Sequence, residues 1–240
     1  MSILVVTGTD TGVGKTVVTA AVAVLAEERG ASVAVVKPAQ TGVGEAEPGD
    51  LDDVIRLSGV RTTFELARYP AALSPAAAAR VSGLPPVSLS RAVARIGELA
   101  ASHRLVVVEG AGGLLVRFDE EGATLADLAR ALSAPVLLVT RAGLGTLNHT
   151  ALTLEAMAHR GLEPAGVVIG SWPAEPGLAE RCNVADLEML AARPLAGALP
   201  EGAGRLDRES FARVARAGLG PALGGGFDPA AFRATFRLAP

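Results

Sequence analysis

The chain has 240 residues, of which 50% are hydrophobic and 20% charged. That is the size of one large domain or two small ones, and it is too apolar to stay disordered. A net charge of −3 and 3% aromatic residues exclude a broad nucleic-acid footprint and base-stacking platforms, while a single cysteine, Cys182, excludes an internal disulfide framework and fits a reducing cytoplasm.

Met1 to Val6 carries no basic region and no cleavage site, so no signal peptide is expected. Ile3–Thr7 is a near-continuous apolar run, the pattern of a strand buried on both faces. Thr7-Gly8-Thr9-Asp10-Thr11-Gly12-Val13-Gly14-Lys15-Thr16 follows it and opens a helical pattern over Lys15–Arg29 that Gly30 stops. Strand, glycine-rich loop and helix are the context of a phosphate loop. Its backbone N–H groups would turn around phosphate oxygens, and the helix N-terminus adds a favourable dipole. Lys15 is expected to reach the β- and γ-phosphates, and the Thr16 hydroxyl to bind Mg²⁺. Five residues separate Gly8 from Gly14, one more than the usual spacing. The longest apolar stretch, Val17–Ala26, is interrupted by Thr19 and is too short for a bilayer, so no membrane partner is expected.

Val33–Lys37 reads as the second strand, followed by Pro38-Ala39-Gln40-Thr41-Gly42. Lys37 near a γ-phosphate would stabilise charge developing during transfer; the competing reading is a surface lysine at a strand end. Thr41 either caps a turn or bonds a substrate. Asp50–Leu57 reads as a helix stopped by Gly59, with one of Asp50, Asp52 and Asp53 as its N-cap. Pattern alone does not separate capping from metal binding at Asp50. After a loop at Gly83–Pro86 comes a helix over Leu89–Ser102 and a strand over Leu105–Glu109. Glu109, where a Walker B aspartate is usual, sits beyond four apolar residues and before Gly110-Ala111-Gly112-Gly113. A carboxylate there can hold Mg²⁺, or it can cap the next loop. The glycines would leave N–H groups free near the phosphates.

A helix over Thr124–Leu132 precedes the strand Val136–Thr140. The segment Arg141–Thr150 then opens a helix over Thr146–Arg160, with Thr146 as expected N-cap and Gly161 as stop. Free N–H groups there would suit a carboxylate, against plain capping as the other reading. Gly166–Ile169, a loop at Pro173–Gly177, a helix over Ala185–Ala192 and a weaker strand at Leu195–Leu199 complete the alternation. The stretch 218–240 is set apart from 1–217 as a tail, with Gly224-Gly225-Gly226 as a flexible connection and Phe227, Phe232 and Phe236 docking on some surface. The whole reads as α/β, a doubly wound and mostly parallel sheet with helices on both faces, in one domain. Ligands of such sheets bind beyond the carboxyl ends of the strands, where every motif above falls. No His/Cys spacing suits zinc, Cys182 lies in no nucleophile motif, and His103 and His159 are expected on the surface.

Four motifs in order resemble the dethiobiotin synthetase family of P-loop enzymes: Gly8–Thr16, then Lys37, Pro38 and Thr41, then Val108–Gly113, then Leu144, Gly145, Asn148 and His149. The resemblance spans the phosphate loop to about Gly202. It implies conversion of 7,8-diaminononanoate, CO₂ (as bicarbonate in solution) and ATP to dethiobiotin, ADP and phosphate, through a carbamate and a carbamic–phosphoric anhydride. It assigns Lys37, Lys15 and Thr11 to catalysis, and Thr16, Asp50 and Glu109 to Mg²⁺. Gly12, Val13, Gly14, Lys15, Thr16, Val17, Asp50, Glu109, Gly110, Ala111 and Gly112 would bind the nucleotide phosphates and metal. Gly170, Ser171, Pro200, Glu201 and Gly202 would lie by base and ribose, while Thr41, Gly143, Gly145, Thr146, Leu147 and Asn148 would hold substrate. It also implies a homodimer with the site near the interface. Two departures stand out. Gly170-Ser171 lies where the family often has an adenine-reading Asn, which would weaken discrimination between ATP and other triphosphates. Gly12 lies where the family often has Glu.

Among competing readings is a nucleotide-switched ATPase of the partition or cell-division positioning type. That class has an extra lysine where this chain has Asp10. The charges of the tail, Arg233 and Arg237, make a weak membrane anchor. An amidotransferase synthase would need a glutaminase domain with a nucleophilic cysteine. A fold relative that only binds nucleotide would not need Lys37 and Thr41.

Overall fold

A computed structural model describes residues 2–236. Arg237, which entered the membrane-tail reading, lies outside the described residues. In chain order the sheet strands are β1 (Ser2–Gly8), β2 (Val33–Lys37), β4 (Thr62–Glu65), β6 (Leu105–Gly113), β7 (Val136–Thr140), β8 (Pro164–Trp172) and β9 (Gly197–Pro200). They form one sheet in the order β4-β2-β6-β1-β7-β8-β9, and every pairing is parallel. A two-residue pair, β3 (Gln40–Thr41) and β5 (Arg68–Tyr69), stands apart.

The apolar strand runs alternate between two cores. Leu4, Val6, Val35, Val107 and Val139 face one side; Val5, Ala34, Val36, Val106 and Val108 face the other. On the first side lie the helices α1 (Lys15–Glu28), α2 (Asp50–Ser58) and α8 (Arg208–Gly218). On the second lie α3 (Pro75–Ser82), α4 (Leu89–Ser102), α5 (Leu125–Ala131) and part of α6 (Thr146–His159). A third, smaller core joins β7 and β8 to α7 (Leu178–Ala191) and to α9 (Pro229–Phe236). Burial of strands on both faces is what a parallel sheet requires, since helical crossovers cover each side. No helix among the described residues is long and apolar enough to cross a membrane.

Several elements differ from expectation. β6 runs on from Glu109 to Gly113, because Gly113 pairs with Gly8 across a break in register. The glycines after Glu109 are therefore strand, not open loop. α7 starts at Leu178, seven residues before the expected Ala185, with Gly177 as its extended N-cap. Its early turns carry Glu180, Arg181 and Asn183, which hide the helical period, yet Asn183 is buried and donates to the carbonyls of Ala142 and Gly143. α3, α8 and α9 and the short strands β3, β4 and β5 were not foreseen. The glycine run before α9 is packed. Gly225 and Gly226 donate to the carbonyls of Gly220 and Arg216, and a Cβ on Gly225 would fall 1.9 Å from the Leu219 carbonyl oxygen. Phe232 and Phe236 dock on Trp172, and Phe227 packs on Phe232.

Candidate active site

β1 lies between β6 and β7 at the centre of the sheet, so the loop that leaves it faces the crevice where strand order reverses. Gly14 ends that loop in the left-handed region, φ 95°, and its place is doubly constrained. A Cβ there would sit 2.6 Å from the Gly170 carbonyl oxygen, and a Cβ on Gly170 only 2.0 Å from that of Val13. The phosphate loop thus rests backbone-to-backbone on the end of β8. α1 starts at Lys15 with no side-chain cap, which leaves N–H groups open to an anion.

Lys37 is 2% exposed at the end of β2. Its Nζ donates to Glu109 Oε1 at 2.7 Å and to the Gly110 carbonyl at 3.2 Å, and it pairs with Asp50 Oδ2 at 2.5 Å. Burial works against its charge, but the Glu109 and Asp50 carboxylates outweigh burial and raise its pKa above the ordinary lysine value. Lys15 shows the opposite balance. Burial, then the Lys37 cation, lower its pKa to about 8 against the pull of Glu109, Asp50 and Asp10. Its Nζ donates to the Asp10 carbonyl at 2.9 Å.

Glu109 is fully buried. Oε1 accepts from both Lys37 and the Thr16 hydroxyl, the latter at 2.9 Å, while Oε2 has no hydrogen-bond partner. A buried carboxylate oxygen left bare is costly, and a cation beside it removes the cost. The donors at hand, Thr16, Glu109 and Asp50, are all oxygens, which fits Mg²⁺. Among the described residues no three His, Cys, Asp or Glu side chains form a metal cage. Mg²⁺ keeps several waters and needs one or two carboxylates, so the set is sufficient.

None of the three aspartates at the start of α2 is its N-cap; Gly49 is. Gly49 N–H donates to Asp52 at 2.6 Å, and Asp50 N–H donates to Gln40 Oε1 at 3.0 Å. With the helix end capped by others, the Asp50 carboxylate faces Lys37, whereas Asp53 pairs with Arg56 on the surface at 2.7 Å. Thr146 is likewise not the N-cap of α6, because Gly145 in left-handed conformation takes that place. The Thr146 hydroxyl turns inward instead, bonding Thr140 Oγ1 at 2.5 Å and the Arg141 carbonyl at 2.7 Å.

A cavity of about 450 Å³ gathers Thr11, Gly12, Gly14, Lys15, Thr16, Val17, Lys37, Thr41, Asp50, Glu109, Ala111 and Gly112. Val13 and Gly110 lie buried behind it, Val13 in the core and Gly110 close against Leu125. Gly170, Ser171, Pro200, Glu201 and Gly202 form a second group across the phosphate loop, joined by a Glu201 N–H bond to the Trp172 carbonyl at 2.7 Å. Gly143, Gly145, Thr146, Leu147 and Asn148 form a third and do not line the cavity. Arg141 ties this third group to the first, donating to Asp10 Oδ2 at 2.9 Å and to the Thr11 carbonyl at 3.1 Å. A larger groove of about 670 Å³, beside Tyr69, Pro85 and Arg91, carries none of the motif residues.

Sequence reading missed Gln40, Arg141 and Asn183. Gln40 and Arg141 stand inside quoted motifs. Asn183 has no local signal, because what it holds lies 41 residues away.

An AAA domain family matches residues 2–205. The ATP-dependent dethiobiotin synthetase BioD of Frankia casuarinae is 67% identical over 98% of this chain and 99% of its own length. That of Parafrankia sp. is 62% identical over 99% and 100%, and that of Streptomyces avermitilis 57% over 98% and 99%. In fold the chain is similar to the septum site-determining protein MinD of Pyrococcus horikoshii, with TM-score 0.54, 18% identity and coverage of 93% and 94%. It is also similar to a chain of the MinC:MinD complex of Aquifex aeolicus, with TM-score 0.56, 12% identity and coverage of 100% and 98%. At such identities these two show the fold alone and do not favour the nucleotide-switch reading. With near-full-length relatives at 57–67% identity, the chain belongs to the ATP-dependent dethiobiotin synthetase family.

Proposed function

We propose that this protein converts 7,8-diaminononanoate, CO₂ and ATP to dethiobiotin, ADP and phosphate. The observation that carries the reading is the Lys37–Glu109–Asp50–Thr16 cluster around the buried Lys37–Glu109 pair, opposite Lys15 in one cavity, on a chain of this family. One amine of the substrate takes up CO₂ as a carbamate. A carbamate oxygen attacks the γ-phosphorus and ADP leaves. The second amine attacks the carbamoyl carbon of the anhydride, phosphate departs, and a ureido ring closes. Phosphoryl transfer mostly needs positioning and charge neutralisation. Lys15 and Lys37 supply positive charge to the transferring group, Lys37 from a fixed seat that needs no reorganisation. Thr11 and Thr41 orient the amine and carbamate region.

Mg²⁺, when bound by Thr16, Asp50 and Glu109, supplies further neutralisation of the phosphates. Gly143–Asn148 is assigned to the substrate carboxylate. That loop lies off the cavity of a single chain, and a homodimer accommodates this, since a second copy can bring its own loop to the site. Gly170 and Ser171 cannot make the paired donor–acceptor contact that an Asn makes to adenine. Comparable kcat/KM with CTP or GTP is therefore expected, and an ATP preference above about a hundredfold overturns it.

Product mass spectrometry tests the whole reading. Purified protein is mixed with 7,8-diaminononanoate, bicarbonate, Mg²⁺ and ATP. Dethiobiotin should form only when all components are present. No product and no substrate-dependent phosphate release with any triphosphate would return the chain to the nucleotide-switch class.

A further inference from the structure

Trp172, the single tryptophan of the chain, stands where three things meet. It ends β8, two residues after the Gly170 on which the phosphate loop rests. Its carbonyl accepts from Glu201, and it pairs with Pro200 beyond a break in strand register that leaves Gly170 and Ser171 out of the regular ladder. Its ring, buried at 7% exposure, is the platform for the C-terminal segment. Phe236 and Phe232 pack on it at 4.7 and 5.0 Å between ring centroids, and Phe227 packs on Phe232 at 5.1 Å.

α9 itself buries no residue. Apart from these rings its tie to the domain is Arg233, which pairs at 2.5 Å with Glu188 of α7. The other Glu188 oxygen accepts from Leu195 N–H, just before β9. The Trp172 anchor thus leads to the carboxyl ends of β8 and β9, through its carbonyl bond from Glu201, whereas the Arg233–Glu188 anchor leads to the start of β9 and holds α9 against α7. Between Gly170 and the phosphate loop there is no slack, since the 2.0 Å and 2.6 Å approaches admit not even a methyl group. A shift of the β8 end must move the loop.

We propose that α9 is a positioning element for the nucleotide: seated on Trp172, it fixes the two strand ends that carry Gly170–Ser171 and Pro200–Gly202. This rests on the reading of those residues as the base and ribose side. An unclamped β8 end loosens the base side and, through Gly170, the phosphate loop, while Lys37, Glu109 and Asp50 on β2, β6 and α2 stay in place, so the loss falls first on nucleotide affinity and less on turnover at saturation.

The test compares wild type with Phe232→Ala, Phe232→Leu, a chain ending at Asp228, and Ser171→Arg. Trp172 fluorescence gives the ADP dissociation constant without any assumption about the reaction. Steady-state assays give both KM values and kcat, and melting curves give the folded fraction. Phe232→Ala and the shortened chain should raise ADP Kd and nucleotide KM about fivefold or more, with the diamine KM within about twofold and kcat falling by less than the nucleotide KM rises. Phe232→Leu should recover most of the loss. Unchanged nucleotide constants, or a fall in kcat that follows the folded fraction, would overturn the proposal. If Ser171→Arg weakens ADP binding while Phe232→Ala does not, the clamp alone fails. If neither does, the base-side reading fails with it.

Discussion

Lys15 has a free-state pKa of about 8 because it is buried beside a second lysine. Phosphate charge would restore the protonated form, raising the value in the bound state. Between the two values the complex holds a proton that the free protein lacks, so affinity falls as pH rises through about 8. Calorimetry at pH 8, in buffers of different ionisation enthalpy, should read uptake of about half a proton per nucleotide; none would refute the linkage. Lys37 presents a different problem. Its removal takes from the fully buried Glu109 the cation paired with it at 2.7 Å, at a cost of about 3–5 kcal/mol. Lys37→Ala should therefore unfold at lower denaturant as well as lose turnover. The double variant Lys37→Ala/Glu109→Gln should regain most of the stability and none of the activity. Stability that stays low in the double variant would mean that Lys37 acts through packing.

At the scale of elements, legibility followed burial. β2, β7 and α4 lie where the apolar pattern put them, since every residue of the two strands is buried and α4 turns Ala92, Ile96, Leu99 and Ala100 to the core at helical spacing. β4 is an edge strand of Thr-Thr-Phe-Glu with no fully buried residue, so its pattern carries no signal of sheet. α8 opens on Asp207, whose side chain accepts from Ser210 N–H, but an Arg-rich exterior masks its apolar stripe of Phe211, Ala212 and Ala215. Phe211 is wholly buried in the core that backs α1. Phe211→Ala should cost about 3–5 kcal/mol, read as a fall in urea midpoint at unchanged slope. Less than about 1 kcal/mol would mean that α8 is an ornament on the fold. At the candidate site, the motifs visible in sequence supply residues that line one cavity, while the helix caps were not legible. Asp50 and Thr146 both look like caps in sequence, and in both cases a neighbouring glycine takes the cap. What frees each side chain is tertiary: Lys37 for the first, Thr140 for the second.

The whole molecule leaves Leu144 93% exposed, at the tip of the loop assigned to the substrate carboxylate. If two copies share the site, sedimentation should give twice 24.2 kDa. Leu144→Asp should shift the species to the monomer while ADP still binds. A wild-type monomer would end the shared-site reading. The central strand has a consequence for synthesis. β1 leaves the ribosome before the other described strands, yet its neighbours are β6 and β7, and Ser2 aligns with Leu105. Long-range parallel pairing of this kind is slow to form. Until about half the chain has been translated, the strand that launches the phosphate loop has no partner on either edge. A pause in translation before β6 would hold that apolar segment exposed, at risk of association with other nascent chains.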